Sequence, residues 1–274
     1  MVTNMKLGAS TARFWSVERD LQKVLAFISE HFKVAEVWIE PPFFPSWRTS
    51  REKADLDRLQ DILVVTELET TIHAPYHDLS LCSWNPAVTS LAQKEIEKSL
   101  EMAAEMDSKA VTFHMGRLRL NEDEGEVILR ANLEALDDMA SEYSAKLCLE
   151  NPHDGCYASL DNILELTEGL PNIYLTLDLA HLSLHKTNLG EYKKKLRRKV
   201  KNIHISGITS DGRHKPLVGV SQYVKNSLKT MRDIRYKGAV ILEGFVGDDM
   251  EGIVEKEKTA FKRMVLQAGL KAAP

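Results

Sequence analysis

The stretch Leu147-Cys148-Leu149-Glu150-Asn151-Pro152, near the middle of the chain, shows a pattern that recurs along the whole sequence. Its apolar residues predict a buried strand, which the Asn-Pro pair ends because proline cannot continue a hydrogen-bonded ladder. The strand therefore delivers one carboxylate, Glu150, to its carboxyl end. Five further apolar runs lead into a side chain that can bind a metal: His73, His114, Asp178, His204 and Glu243. Six such side chains at six strand ends are hard to explain by packing, so we expect a common site.

Between these runs lie patterns typical of amphipathic helices, and the alternation continues from one end of the chain to the other. We predict strands at residues 5–10, 34–39, 70–74, 111–113, 147–150, 173–177, 203–205 and 239–242. We predict helices at residues 17–31, 88–106, 122–143, 160–168, 189–198, 220–233 and 253–268. Eight βα units with short connections predict an α/β fold, a single (β/α)8 TIM barrel formed by residues 1–274. A doubly wound open sheet would have a glycine-rich first turn, which Gly8-Ala9-Ser10-Thr11 does not provide.

The composition of the chain excludes several classes of protein. With 36 basic and 40 acidic residues the net charge is −4, so the global charge does not favour a polyanion partner. The basic run at residues 193–201 is predicted to be solvated surface near the amino-terminal face of the barrel. Three cysteines without CxxC spacing, Cys82, Cys148 and Cys156, fit free thiols in a reducing cytoplasm. No apolar run approaches about 18 residues and no signal peptide is recognisable, so we expect a cytoplasmic protein without membrane contact.

The carboxyl ends of the strands form the face of a TIM barrel that carries the active site. Glu40, which ends the second strand before Pro41-Pro42, falls on this face with the six side chains named above. Carboxylates crowded together would repel one another, at a cost of several kcal/mol, unless a cation neutralised them. Mixed histidine and carboxylate ligands suit zinc, manganese, cobalt or iron better than calcium, so the pattern predicts a divalent metal site.

Three further residues are candidates for the site, but each also has an ordinary structural explanation. His181 follows Asp178 by three residues, and at helical spacing both side chains can point the same way. His181 is otherwise an ordinary loop histidine. Asp211 and His214 lie in a later loop, which is otherwise a plain polar turn.

All four tryptophans, Trp15, Trp38, Trp47 and Trp84, lie in the first third of the chain. Three of them fall in loops after the first three strands. They are candidates for an apolar wall on which a sugar ring or a base would stack. A hydrophobic lid or an oligomer contact explains them equally well.

Six segments at these strand ends resemble the xylose isomerase-like TIM-barrel superfamily, which includes sugar and sugar-phosphate isomerases and epimerases and the endonuclease IV family. The resemblance covers nearly the whole chain, and it is the order of all six segments that makes it specific. The segments are His73-Ala74-Pro75-Tyr76, His114-Met115-Gly116, Leu149-Glu150-Asn151, Leu177-Asp178-Leu179-Ala180-His181, Ile203-His204-Ile205 and Ile241-Leu242-Glu243.

A resemblance to the isomerases and epimerases implies one divalent ion, zinc, manganese, cobalt or magnesium. Its ligands would be Glu150, Asp178, His204 and Glu243. Glu150 and Glu243 would also be catalytic, taking and returning a carbon-bound proton through an enediolate of a small sugar or sugar phosphate. His73, His114 and His181 would bind substrate oxygens. The other substrate-binding residues would be Glu40, Trp15, Tyr76, Asn151 and Arg213.

A resemblance to endonuclease IV implies three zinc ions and a phosphodiester beside an abasic site in DNA. His73 and His114 would bind the first ion, with Glu150 bridging to the second. Asp178, His204 and Glu243 would complete the second site. His181, Asp211 and His214 would bind the third ion. A zinc-bound hydroxide would then attack the phosphodiester.

The sequence departs from the endonuclease IV pattern at several points. Ile205-Ser206-Gly207 stands where that family has Asn-Asp-Ser after the strand-seven histidine. Asp211 and His214 are three residues apart, whereas the corresponding acid and histidine of that family are two apart. The second strand ends in a glutamate, Glu40, as the second strand of isomerases often does. A loop with Trp47, Arg48 and Arg51 could still probe DNA. We therefore expect an isomerase or epimerase, with a possible homo-oligomer, and keep the nuclease, with DNA as its partner, and a metal-free binding module as alternatives.

Overall fold

The computed structural model describes residues 5–44, 52–117 and 122–269. Its strands are β1 Lys6–Ser10, β2 Val34–Trp38, β3 Glu69–His73, β4 Ala110–Phe113, β5 Lys146–Glu150, β6 Ile173–Asp178, β7 Val200–Ile205, β8 Gly207–Ile208, β9 His214–Lys215 and β10 Ala239–Leu242. Eight of these strands close into a parallel barrel in the order β1-β10-β7-β6-β5-β4-β3-β2, while β8 and β9 form a short antiparallel hairpin. The predicted TIM barrel is confirmed. Trp47, Arg48 and Arg51 lie outside the described residues.

The described helices are α1 Leu21–His31, α2 Glu52–Thr66, α3 Pro86–Glu105, α4 Glu122–Ala140, α5 Leu160–Leu166, α6 Leu179–Leu184, α7 Lys193–Lys199, α8 Gln222–Asp233 and α9 Met250–Gln267. The prediction that the first helix begins at residue 17 is wrong, because Asp20 caps α1 by accepting from the backbone N–H of Gln22 at 2.9 Å. Asp249 caps α9 in the same way, so that helix begins three residues earlier than predicted. None of the helices described is long and apolar enough to cross a membrane.

Two helices were missed, α2 and the single short helix α6 that follows β6 directly. The predicted helix at residues 189–198 is a 3-10 turn, Leu189–Tyr192, followed by α7. α7 holds most of the basic run. Lys193 pairs with Asp233, and Lys199 turns inward to donate to the carbonyls of Thr167, Leu170 and Ile173 at 2.7–3.0 Å. Part of the basic run therefore ties strands and helices together instead of remaining solvated.

The two faces of the barrel strands differ in chemistry. Leucines such as Leu147, Leu149 and Leu175 are fully buried and belong to the hydrophobic core. The barrel interior is polar instead, because Thr112 of β4 hydrogen-bonds Thr176 of β6 at 2.8 Å and side chains of β2 and β7 meet across the lumen. This polar layer, which we call the interior layer, comprises Glu36, Thr71, Thr112, Thr176 and Asn202. It lies directly below the strand ends that carry the candidate site.

Candidate metal centre

Four strand ends bring the predicted ligands together. Glu150 ends β5, Asp178 ends β6, His204 lies on β7, and Glu243 directly follows β10. The ladder places Asp178 opposite His204, and the backbone N–H of Glu243 donates to the carbonyl of Ile205 at 3.1 Å. One ligand atom from each of the four residues lies within 4.8 Å of the others.

The imidazole of His204 is the centre of this group. Its Nδ1 lies 3.1 Å from Glu243 Oε1 and 3.3 Å from Glu150 Oε2. Glu150, Asp178 and His204 are buried, so these charges are largely removed from water. Within the described part of the chain, Glu150 Oε2, Asp178 Oδ2 and His204 Nδ1 make no hydrogen bond of normal geometry. Converging, buried and unsatisfied donor atoms of this kind fit a divalent cation.

The ionisation of these groups reflects their crowding. Burial opposes the charged form of Glu150, yet the surrounding histidines, His114 and His204, outweigh it and hold the pKa of this carboxyl well below its usual value. Burial raises the pKa of Glu243, and the nearby charge of Glu150 adds to the increase. Burial also opposes a charged His204, but Glu243, Glu36 and Glu150 raise the pKa of this imidazole well above its ordinary value. Two carboxyls with pKa values shifted in opposite directions are typical of an acid–base pair.

A second group shares Glu150 and lies towards β3 and β4. His73 Nε2 and His114 Nε2 are 3.3 Å apart, and they lie 3.6 and 3.4 Å from Glu150 Oε2. The Nδ1 atom of His73 is 3.0 Å from the carbonyl of Ala74, which makes Nδ1 the donor and directs the Nε2 lone pair towards the site. The ring of Tyr76 packs on His114 at a centroid distance of 4.5 Å and covers this group.

A third group shares Asp178 and lies towards the β8–β9 hairpin. His181 Nε2 and His214 Nε2 are 3.0 Å apart, and His214 Nε2 lies 4.0 Å from Asp178 Oδ2. His181 Nδ1 contacts the carbonyl of Asn151 at 2.9 Å, so its Nε2 lone pair also faces the site. Asp178 caps α6 by accepting from the His181 backbone N–H through Oδ1, which leaves Oδ2 directed at the ligands. The helical spacing that the sequence suggested for Asp178 and His181 is what the structure has.

Two predicted site residues lie apart from these groups. Asp211 accepts from Arg213 Nε at 2.8 Å, and both side chains are exposed at the tip of the β8–β9 hairpin. The structure therefore does not bring Asp211 to His181 and His214. The carboxylate beside these two histidines is Asp178.

The remaining predicted substrate residues support or border the site. Glu40 is buried and accepts from the backbone N–H groups of Tyr76 and His77 at 2.9 and 3.0 Å, so it fixes the segment after β3. Asn151 exchanges two hydrogen bonds with the backbone of Asp178. Trp15 is 41% exposed and packs edge-to-face on Phe245, at the rim.

One residue of the site was missed by sequence reasoning. Glu36 lies in the middle of β2, is fully buried, and approaches His204 Nε2 to 3.0 Å. The signal was a single acid inside an otherwise apolar strand, Val34–Trp38, where a carboxylate needs a buried partner. The strand-end pattern did not find it because Glu36 lies below the strand ends.

Comparisons of the sequence and the fold with known proteins identify the family of this chain. Residues 25–264 match the family model described as the xylose isomerase-like TIM barrel. The uncharacterized protein MJ1188 of Methanocaldococcus jannaschii is 28% identical over 254 residues, which cover 87% of this chain and 88% of that protein.

Two solved structures are similar over nearly the full length. A D-tagatose 3-epimerase-like protein has a TM-score of 0.81 at 22% identity, covering 97% of this chain and 98% of its own. D-psicose 3-epimerase, determined in the presence of D-fructose, has a TM-score of 0.78 at 18% identity, covering 97% of this chain and 100% of its own. At these identities the similarity establishes the fold. Because the family model spans most of the sequence, the chain belongs to the family of xylose isomerase-like TIM barrels.

Proposed function

We propose that the protein is a divalent-metal-dependent isomerase or epimerase, which acts on a small sugar or sugar phosphate by proton transfer through an enediolate. The observation that carries the proposal is the group formed by Glu150, Asp178, His204 and Glu243, whose ligand atoms lie within 4.8 Å of one another at the strand ends. The solved structures of similar fold described above include sugar epimerases by name, which supports the substrate class.

A divalent cation held by these four residues would supply a Lewis acid for a carbonyl oxygen and its neighbouring hydroxyl. The proton transfers belong to the chain's own carboxylates. Glu150 and Glu243 reach the site from β5 and β10, which are separated in the barrel by β6 and β7. A carbon between them is therefore approached from two sides, as epimerisation requires. The lowered pKa of Glu150 keeps this carboxylate ionised and able to accept a proton, and the raised pKa of Glu243 favours a carboxyl that can return one.

The surrounding side chains suit a polyhydroxylated substrate. His73, His114 and His181 present ring nitrogens to the site and are proposed to bind substrate oxygens. The edge-to-face pair of Trp15 and Phe245 is proposed as one wall of the substrate site. Cys82, Cys148 and Cys156 form no disulfide among the described residues, which is compatible with a cytoplasmic location, and we also propose this location.

A second candidate function is a trinuclear zinc phosphodiesterase that acts at abasic sites in DNA. The observation that favours it is the pair of flanking histidine groups, with His73 and His114 nitrogens 3.3 Å apart and His181 and His214 nitrogens 3.0 Å apart. Nitrogen lone pairs this close repel each other unless a proton or a cation lies between them. The pairing of Asp211 with Arg213 weighs against this function, because the third ion then lacks its predicted aspartate.

Metal content and activity separate the two functions. We expect metal-free protein, reloaded with manganese or cobalt, to hold one tightly bound ion per chain and to epimerise members of a panel of free and phosphorylated ketoses. Chelation should abolish the activity, and metal addition should restore it. About three zinc ions per chain, together with cleavage of an abasic-site duplex, would overturn the proposal in favour of the phosphodiesterase.

A further inference from the structure

Glu36 is a fully buried carboxylate that the proposed proton transfers do not use. It lies in the middle of β2, and its side chain crosses the barrel interior to β7. Burying a carboxylate is costly unless a charge or several hydrogen-bond donors compensate for the lost water. In the described part of the chain, the ion-pair partner of Glu36 is a histidine, His204, rather than a lysine or an arginine.

The two nitrogens of His204 face different carboxylates. Nε2 lies 3.0 Å from Glu36 Oε1 and 3.1 Å from Glu36 Oε2, below the strand ends. Nδ1 faces Glu243 and Glu150 at the strand ends, at 3.1 and 3.3 Å. An ionised carboxylate can only accept hydrogen bonds, so both nitrogens of the metal-free imidazole face acceptors. If a cation replaced the Nδ1 proton, the contact with Glu36 would keep the remaining hydrogen on Nε2. The lone pair of a neutral His204 is then on Nδ1, where the metal ligands converge.

Glu36 is itself held in place by two other residues of the interior layer, Asn202 and Thr71. Its Oε2 accepts from Asn202 Nδ2 at 2.8 Å and from Thr71 Oγ1 at 3.2 Å. Asn202 Nδ2 also donates to Thr112 Oγ1 at 3.1 Å, which extends the network to β4. Donors from two strands thus stabilise the ionised form of Glu36 and fix its direction.

We propose that Glu36 is a positioning residue, which holds His204 with its hydrogen on Nε2 and its Nδ1 lone pair directed at the bound cation. The inference rests on the metal site of the proposed function. A carboxylate that accepts from the far nitrogen of a metal-binding histidine fixes the ring and strengthens it as a ligand. Loss of such a partner lowers metal affinity by about 10- to 100-fold.

The test is titration of metal-free protein with cobalt(II) alone, followed by calorimetry and by the visible absorption of the bound ion. Glu36→Gln keeps the size of the side chain and one acceptor oxygen but removes the charge. We expect cobalt affinity to fall by about 10- to 100-fold, with unchanged stoichiometry and a shifted absorption band, because His204 becomes a weaker ligand. Glu36→Asp retains the charge and should bind cobalt more tightly than Glu36→Gln.

Thr176→Val is the matched control, because it removes a hydroxyl of the interior layer that bonds Thr112 and not Glu36 or His204. Its affinity should stay within about twofold of the wild type. Cobalt affinity and spectrum unchanged in Glu36→Gln would overturn the proposal, as would an Asp variant that binds more weakly than the Gln variant.

Two further outcomes separate this inference from the proposed function. Glu36 offers an oxygen within 4.8 Å of ligand atoms of His73 and Glu243, so loss of one bound ion per chain in Glu36→Gln would make it a ligand and overturn the positioning role. Tight cobalt binding that weakens in Glu36→Gln, without any epimerase activity in the wild type, would support the role of Glu36 and contradict the proposed reaction. A wild-type protein that binds no cobalt would overturn both.

Discussion

Two buried carboxylates in this barrel have opposite kinds of partner. Glu257 of α9 pairs with Arg13, which follows β1, and both side chains are fully buried; we call them the outer pair. Glu36 of β2 pairs with His204 of β7, equally buried, in the barrel interior; we call them the inner pair. The guanidinium of an arginine is charged at every accessible pH, whereas the charge of an imidazole depends on its surroundings.

The outer pair fixes the loops around the site. Arg13 Nε donates to the carbonyl of Gly244, next to Glu243, at 3.1 Å. Glu257 accepts from the backbone N–H of Leu217 at 2.9 Å, which holds the segment after the β8–β9 hairpin. A permanently charged partner therefore serves the architecture. The inner pair, whose histidine can exchange its proton for a metal, is suited to serve the chemistry.

The largest effect is expected on activity, from replacing Glu150, the carboxylate that lies above the inner pair and is shared by two of the ligand groups. Under the proposed function, Glu150→Gln should lower kcat by about 1,000-fold, because a neutral amide cannot take a proton from carbon. Steady-state kinetics on the reactive ketose will measure it, with circular dichroism to show that the fold is retained.

Glu165→Gln, in α5, is the control, because Glu165 is exposed on an outer helix. Full activity in Glu150→Gln would remove Glu150 from the proton transfer and leave the metal site without its proposed base.

The outer pair should respond in stability instead. Glu257→Gln leaves a buried guanidinium without its counter-charge, so we expect the free energy of unfolding of the metal-free protein to fall by about 3 kcal/mol. Urea denaturation measures this change. Asp233→Asn, which breaks ion pairs with Lys193 and Arg232 that are partly exposed to solvent, should cost less than about 1 kcal/mol.

The comparison between the two pairs breaks down if Glu257→Gln is as stable as the wild type. It also breaks down if the variant loses cobalt affinity as strongly as Glu36→Gln does, because the outer pair would then act on the metal and not on the architecture.

The strand ends made much of this molecule predictable. Each apolar run that led into a histidine or carboxylate is a barrel strand, because parallel strands covered by helices read as continuous apolar runs. The same pattern places Glu150, Asp178, His204 and Glu243 on one face of the barrel. The sequence pattern sufficed for this placement, because the parallel strands of a barrel have their carboxyl ends on the same face.

Other features depend on contacts that spacing does not encode. Glu36 was missed because its role arises from β7 crossing the lumen opposite β2, a contact between residues 168 positions apart. Asp211 was expected at a third metal ion, but pairing of β8 with β9 turns its side chain to Arg213. The start of α1 was misplaced because the Asp20 cap outweighs the apolar pattern that begins at Val17. In each case a tertiary or capping interaction decided the outcome.

Metal removal should lower the stability of the folded protein through the site above the inner pair, and not through the outer pair. The ligand atoms converge only in the folded chain, so cobalt at about 100 times its dissociation constant should raise the free energy of unfolding by about 2.7 kcal/mol. Thermal denaturation with and without chelator measures the change.

Glu257→Gln should show the same gain on metal addition as the wild type, since the outer pair does not touch the ligands. A gain that disappears in this variant would mean that the two pairs are coupled. Equal stability with and without metal in the wild type would contradict a cation among these groups.

The smallest effect concerns Glu40, which the sequence assigned to the substrate and the structure places under the segment after β3. Its contact with the half-exposed His77 raises the pKa of that imidazole. Burial would raise the pKa of Glu40, but the contact with His77 outweighs burial and lowers it.

These two shifts make the contact depend on pH. A histidine with a raised folded-state pKa contributes its full stability below its unfolded pKa of about 6.5 and loses it as pH rises through the folded value. Glu40 loses its contribution as pH falls below its unfolded pKa of about 4.5. The contact between Glu40 and His77 should therefore stabilise the segment after β3 most between about pH 4.5 and pH 6.5. We expect an NMR titration to show the His77 pKa falling towards about 6.5 in Glu40→Gln. An unchanged His77 pKa would return Glu40 to the role of a substrate ligand.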